Sequence, residues 1–238
     1  VTGTNGKTTT VYLLAQLGIQ AGYNILTIGT LGVLLNNNEV SNYNLTTPSY
    51  IDIRKEIFKH KNDFDIFAME LSSHALSQGR LGSLKFDSIG WTNFSQDHLD
   101  YHETMDDYFN AKAKIWNYLK EKNSKVLVPD KQKELINRLE SKNIKITNTK
   151  IKTTNPFFKV DYNLENLSLS LGLIKSYKNI DYDIENLTAS PGRFNIIPHG
   201  DSYIIIDYAH TPDGLNSICS DLKKSFKKYN LITIFGCG

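Results

Sequence analysis

The chain of 238 residues has only two cysteines, Cys219 and Cys237, a scarcity that excludes a disulfide framework and a zinc site built from cysteine. A reducing cytoplasm is therefore the expected compartment. No uninterrupted apolar run approaches the roughly 20 residues that cross a bilayer, so membrane insertion is not expected. Neither charge sign dominates: 27 Lys and Arg against 25 Asp and Glu leave +2, which gives no electrostatic argument for nucleic acid or an anionic membrane. The local basic run Lys223-Lys224-Ser225-Phe226-Lys227-Lys228 reads as a solvated helix face. There is no internal repeat and no low-complexity tract. No secretory signal precedes the first motif, but VTGT begins in the middle of an element, so the sequence is expected to be a cut-out of a longer chain.

What is present is an alternation of strand-length apolar runs with amphipathic segments. A helix is predicted over 7–21, a strand over 24–30, and a hairpin or excursion over 31–43 broken at Asn36-Asn37-Asn38. A helix over 50–60 carries Ile51, Arg54, Lys55 and Phe58 at 3–4 spacing. DFDIFAMEL (63–71) and LKFDSIGWTNF (84–94) read as buried strands, 105–119 as a helix, KVLVP as a strand stopped by Pro129, and 131–139 as a helix. The polar stretch 143–156 reads as an exposed edge strand or loop. Such strand–helix alternation predicts an α/β fold, a doubly wound and mainly parallel sheet. Ser190-Pro191-Gly192 interrupts it, dividing the chain into a domain over 1–189 and the incomplete start of a second, Rossmann-like one over 190–238. In the latter, a strand pair, a helix over 212–228 and a strand LITIFG are predicted.

Three stretches carry chemistry. GTNGKTT (3–9) has the form G-x-x-G-K-T: successive backbone N–H groups and the positive end of the next helix cradle phosphate. Lys7 would reach the terminal phosphates and the Thr8 hydroxyl would ligate Mg²⁺. Val1 stands where the full eight-residue pattern has glycine, and the plainer account is a glycine turn before a helix; the ATP loop is the reading adopted. MELSSHALSQGRL (69–81) follows a buried strand, which brings Glu70 to the crevice where it could share Mg²⁺ with Thr8. A surface glutamate at a strand end, with Ser72 or Ser73 as an N-cap, fits that stretch equally. TNFSQDHLDYHETMDDYFNAKAKIW (92–116) offers Asp97, His98, Asp100 and His102, but not at the spacing of a helical zinc motif. Residue by residue, the plain account covers it: Asp106 and Asp107 favour a first helical turn, and Lys112 and Lys114 are solvated.

Together, G-T-N-G-K-T-T, T-T-P (46–48), M-E-L-S-S-H-A-L, T-N-F-S-Q-D-H-L-D-Y-H, Y-F-N-A-K, P-G-R-F and D-Y-A-H-T-P (207–212) resemble the Mur ligases of peptidoglycan synthesis. The nearest is the MurE type, which adds the third amino acid to UDP-N-acetylmuramoyl-L-alanyl-D-glutamate. The resemblance implies an ATP-dependent, Mg²⁺-dependent acid–amino-acid ligase of the bacterial cytoplasm, monomeric, whose partners are the UDP-muramoyl dipeptide and a free amino acid, diaminopimelate or L-lysine. It implies that Gly3, Thr4, Asn5, Gly6, Lys7, Thr8 and Thr9 hold the phosphates. Asn163 would read the adenine, and Arg193, Asp207 and His210 would close over ATP. Thr8 and Glu70 match ligands of one Mg²⁺ and His98 a ligand of a second. Lys112 matches the lysine that takes up CO₂ to become a carbamate (N6-carboxylysine) and supply an anionic oxygen. Thr46, Thr47, Ser72, Gln78 and Arg80 would contact the nucleotide-sugar dipeptide, with arginine suited to a bidentate grip on diphosphate.

The chain departs from that pattern in three ways. The glycine expected ahead of Asn163 is replaced, with Val160 nearby; the stretch 130–156 is shorter than expected; and the motif that selects the incoming amino acid would lie beyond Gly238. On its own the chain is expected to bind ATP weakly and to lack ligase activity. The alternatives are another ligase of the superfamily, such as a folylpolyglutamate synthase or a cyanophycin-type enzyme, and a nucleotide-binding module without catalysis.

Overall fold

The computed structural model describes residues 1–121, 124–139, 143–178 and 181–236; Cys237 lies outside the described residues. Helix α1 (Lys7–Gln20) leads to β1 (Ile25–Gly29), buried at all five positions. A hairpin follows, β2 (Gly32–Leu35) and β3 (Asn38–Ser41), turned by Asn36 and Asn37 at φ 52° and 63°. Both turn residues take the left-handed conformation that matches strand twist and that asparagine tolerates. Then come α2 (Tyr50–Lys59), β4 (Ile66–Met69), α3 (Ser73–Ser77), β5 (Ile89–Gly90), α4 (Leu99–His102), α5 (Met105–Ala113), β6 (Val126–Pro129), α6 (Lys133–Arg138), β7 (Ile144–Thr147) and α7 (Asp161–Tyr177). β8 (Asn195–His199), β9 (Ser202–Ile206) and α8 (Pro212–Ser225) complete the set.

β1 pairs with β4, β5 with β6 and β6 with β7, all parallel, while β2 runs antiparallel to both β1 and β3. Val1 and Thr2 join the two sheets. Val1 N donates to Met69 O and Leu71 N to Val1 O on the β4 side. Thr2 N donates to Gly90 O and Thr92 N to Thr2 O on the β5 side, with a parallel bridge between Thr2 and Trp91. These two residues therefore carry the phosphate loop at the middle of the sheet, with every parallel strand end on the same side. One face of the sheet is covered by α1 and α7, packed through Leu13, Leu17, Leu167, Leu171 and Ile174. The other buries Trp91 against Phe109, ring centroids 5.5 Å apart, and Trp116 at 6.0 Å.

Three local expectations change. The α2 stripe of Ile51 and Phe58 faces outward, 76% and 71% exposed; the helix buries Ile53 and Glu56 instead. The 3–4 spacing was genuine, but the face that carries Ile53 and Glu56 is the one that found the core. The LITIFG segment takes no strand pairing, and Ile232, Ile234 and Phe235 are exposed. The long helix predicted over 105–119 gives way after Ala113 to a 3₁₀ turn over Lys114–Tyr118. β8 and β9 pair antiparallel as predicted, and α8 packs Ile218 and Leu222 onto the cluster that holds Phe157 and Phe158.

Candidate active site

The loop before α1 is built for close approach. Gly6, at φ 82°, is the N-cap of α1, and a Cβ there would meet Asn166 Oδ1 at 2.3 Å. Gly3, at φ 143°, passes so near Thr92 that a Cβ would meet its Oγ1 at 1.8 Å. The loop is latched to the end of β5: Asn5 N donates to Asn93 Oδ1 at 2.9 Å, and Thr92 Oγ1 to Asn5 O at 2.6 Å. Thr4 Oγ1 bridges Ser95 O (3.1 Å) and Tyr108 Oη (3.2 Å). The helix start beyond Gly6 presents N–H groups with no intrahelical acceptor. Gly6→Ala is expected to lower unfolding free energy by about 1–3 kcal/mol in urea titrations of the full-length protein, and to weaken nucleotide binding further. Wild-type stability in that variant would mean the loop is not held in this form.

The loop opens on a cavity of about 210 Å³ lined by Lys7, Thr8, Thr30, Thr46, Glu70, Asp97, His98, Arg193, Tyr208 and His210, among others. Glu70, 2% exposed, is its hub: Oε2 accepts from Thr8 Oγ1 at 2.9 Å and Oε1 from Thr30 N at 2.8 Å. His98 stands at φ 53° at the start of α4, its Nε2 3.4 Å from Asp97 Oδ2; burial lowers its pKa against the pull of Asp97. Thr8, Glu70 and His98, the proposed metal ligands, thus face one space, and the hydroxyl and carboxylate oxygens among them are hard donors of the kind Mg²⁺ sites use. Among the described residues no group of three or more His, Cys, Asp or Glu is placed to hold a metal ion.

The two lysines meet at one carbonyl. Lys7 Nζ donates to Gly3 O (3.0 Å) and Thr4 O (2.8 Å), and Lys112 Nζ to the same Gly3 O at 2.8 Å. Burial lowers the pKa of both, and Lys7 pushes that of Lys112 lower still, well below the ordinary lysine range. Lys112 is 1% exposed, with Nζ 4.6 Å above the Tyr108 ring, so the solvated reading of this residue is wrong; Lys114 is the solvated one.

A larger cavity of about 620 Å³ adjoins, lined by Asn5, Gly6, Thr9, Gln132, Tyr162, Glu165, Asn166, Arg193 and Asp207 among others. Arg193 borders both spaces, stacked 4.1 Å over Tyr208. Asp207 accepts from Phe194 N and Ala209 N, each at 2.8 Å, while burial raises its pKa. Asn163 is elsewhere: it is 1% exposed, and its Nδ2 is spent on Phe157 O at 2.9 Å. Asn166, one helical turn on, reaches the cavity, and the N-x-x-N spacing was the available signal. Sequence reasoning also missed Thr30, Gln132 and Glu165, which lie outside the motifs quoted above, and Asn93, which lies inside T-N-F-S-Q-D-H-L-D-Y-H but was not singled out.

The residues expected to contact the dipeptide are linked by hydrogen bonds. Thr47 Oγ1 donates to Glu70 O at 2.8 Å and accepts from Ser72 N; Arg80 Nη1 donates to Thr47 O at 3.0 Å. Arg80 Nε reaches Gln78 Oε1, and Gln78 Nε2 reaches Tyr101 Oη. Thr46 faces the cavity, whereas Thr47 is buried with its hydroxyl engaged internally. Ser72 is the N-cap of α3, accepting from Ala75 N.

A glycine loop at the end of a central parallel strand, with a lysine, a threonine and a buried glutamate around one cavity, defines a nucleotide-binding α/β protein of the phosphate-loop kind. The Mur ligase middle domain model matches residues 1–197, and the chain belongs to that family. The UDP-N-acetylmuramoyl-L-alanyl-D-glutamate–2,6-diaminopimelate ligase of Fusobacterium nucleatum is 35% identical across the whole chain. The match covers 55% of that relative, so the chain spans about half the length of the curated relatives it matches. A solved structure of a ligase with the same description aligns with TM-score 0.70 and 25% identity over 93% of this chain and 52% of its own. The MurF ligase of Thermotoga maritima, in complex with ADP, shares the fold at TM-score 0.69 and 16% identity, over 93% of this chain and 56% of that one.

Proposed function

We propose that this chain is the nucleotide-activating part of an ATP-dependent ligase that joins an amino acid, diaminopimelate or L-lysine, to UDP-N-acetylmuramoyl-L-alanyl-D-glutamate in the bacterial cytoplasm. The reading divides the chain into the central domain over 1–189 and the beginning of a Rossmann-like domain over 190–238, acting as a monomer. The observation that carries it is the position of Glu70: its carboxylate meets Thr8 of the phosphate loop, while its backbone carbonyl meets Thr47 of T-T-P. One residue therefore links the nucleotide side to the acceptor side. Among the described residues no helix is long and apolar enough to cross a membrane.

In the reaction so read, a carboxylate oxygen of the dipeptide attacks the γ-phosphorus and the bond to ADP breaks. The amine of the incoming amino acid then attacks the acyl carbon, phosphate leaves with the electron pair, and the nitrogen loses a proton. Lys7 and the amides of the loop bind and orient the β- and γ-phosphates, and Arg193 and Asp207 border the same nucleotide. Thr8, Glu70, His98 and a carbamate on Lys112 would hold Mg²⁺, which neutralises charge on the transferring phosphoryl group. Thr46, Arg80 and Gln78 orient the acceptor. Phosphate release by the full-length protein, with ATP, the muramoyl dipeptide and candidate amino acids, is expected only when all three are present. Release that ignores the muramoyl dipeptide would overturn the assignment and favour another acid–amino-acid ligase.

A further inference from the structure

Thr30 has no part in that scheme, yet its hydroxyl stands between the two halves of the site. Its backbone N–H donates to Glu70 Oε1 at 2.8 Å and its Oγ1 donates to Glu70 Oε2 at 3.2 Å. The Thr46 hydroxyl lies 3.2 Å from the same Thr30 Oγ1. Gly29 makes this possible, because a Cβ at that position would meet Glu70 Oε1 at 2.1 Å. The carboxylate consequently lies across the end of β1, within reach of both donors of the next residue.

A hydroxyl has a single proton to give. Thr30 has two acceptors at equal distance, the Glu70 carboxylate and the Thr46 oxygen. With neither ligand bound, the charged acceptor wins, and Thr46 must then donate to Thr30; the chain runs Thr46 to Thr30 to Glu70. Glu70 Oε2 already accepts from Thr8 Oγ1 at 2.9 Å, so a divalent cation on that oxygen displaces the longer of its two hydrogen bonds, the 3.2 Å one from Thr30. An anionic acceptor at Thr46 takes the Thr46 proton and leaves that oxygen open to Thr30. Each ligand thus favours the reversed chain, Thr30 to Thr46 to acceptor.

We propose that Thr30 is a positioning residue that couples the two sites: its hydroxyl turns from Glu70 to Thr46 when cation and acceptor are both bound, so each tightens the other. The proposal rests on the functional reading above for the identity of the acceptor. The coupling is reciprocal by thermodynamic necessity, and one net hydrogen bond sets its size at about three- to ten-fold.

The test is Mn²⁺ affinity in the ADP complex of the full-length protein, read by water-proton relaxation with and without the muramoyl dipeptide. Wild type is expected to tighten about three- to ten-fold when the dipeptide is added. Thr30→Val, which keeps the backbone N–H and the branched shape, is expected to start at the tighter level and to gain nothing from the dipeptide. Thr30→Ser is expected to behave as wild type. A Thr30→Val variant that responds normally, or a Thr30→Ser variant as unresponsive as valine, would overturn the proposal. If phosphate release proves independent of the muramoyl dipeptide, the functional reading fails by itself. The valine variant must then still bind Mn²⁺ more tightly than wild type and the serine variant must not, and absence of that contrast counts against the switch.

Discussion

Lys112→Ala is expected to cut turnover of the full-length protein by about a thousand-fold or more, while nucleotide binding falls far less. Lys112 is 1% exposed, donates to Gly3 O, and sits beside a second, part-buried cation, Lys7. An ammonium in that position is costly, and burial together with Lys7 shifts it toward the neutral amine. A neutral amine is the form that attacks CO₂: the N–C bond forms, one N–H proton leaves, and the product is a carbamate anion. That anion reverses the local charge balance from two cations to one of each sign, and would offer an oxygen to the Mg²⁺ proposed for this site. Small carboxylic acids are therefore expected to restore part of the activity of Lys112→Ala, and depletion of CO₂ is expected to lower wild-type activity reversibly. Neither effect would appear if Lys112 served only as an ammonium on the Gly3 carbonyl. The pH sense is fixed as well: acid protonates the amine, so the modified form is lost as the pH falls.

The sheet was legible because its signal is long-range composition. Runs such as ILTIG and VLVP are buried throughout and admit no other use, and the mainly parallel order followed from the alternation. The role of Val1 and Thr2 was less obvious. Two residues too short to count as a strand supply the bonds that join β4 to β5, and the loop they lead into inherits its position from them. What the sequence could not show was direction of facing over short distances. On α2, Ile51 and Phe58 obey helical spacing as well as Ile53 and Glu56 do, and only the tertiary surroundings decide which pair is buried. Glu56 is covered because Tyr43 Oη donates to it at 2.8 Å, a partner from before the helix that no periodicity announces.

The site divided along the same line. Residues within motifs came together: Thr8, Glu70, His98, Arg193 and His210 line one cavity although their positions span most of the chain. Asn163 did not, since the amide that the resemblance implied for adenine is tied to Phe157 O while Asn166 faces the cleft. Two asparagines one helical turn apart carry the same motif signal, and which of them faces the cleft is decided by the packing around Phe157. Lys112 shows the opposite failure. Judged alone among charged neighbours it looked solvated, and only its packing over Tyr108 and under the loop reveals a buried base.

Lys7→Ala is expected to separate activity from stability. Loss of the one flexible cation in the loop should lower kcat/KM by about 10²–10³-fold, the size expected when a contact that strengthens in the phosphoryl-transfer transition state is removed. Thermal stability should stay level or rise. Lys7, Lys112 and Arg193 crowd a region where Glu70 and Asp97 are the opposing charges, and the lysine pKa values are lowered by burial first. A part-buried cation whose charge is incompletely met costs stability, and while Lys112 is unmodified the removal of Lys7 also relieves that lysine. When it goes, Gly3 O keeps its bond from Lys112, and Thr4 lines the cavity, where water can replace the lost donor. Linkage gives an independent check. Between its lowered folded value and the ordinary lysine value of 10.5, the unfolded chain binds more protons at Lys7 than the folded one does. Wild-type stability therefore rises with pH across that window, and Lys7→Ala should flatten the rise. A thermal midpoint lowered by about 5 °C or more, with the pH slope unchanged, would mean that Lys7 holds the loop together before any nucleotide arrives.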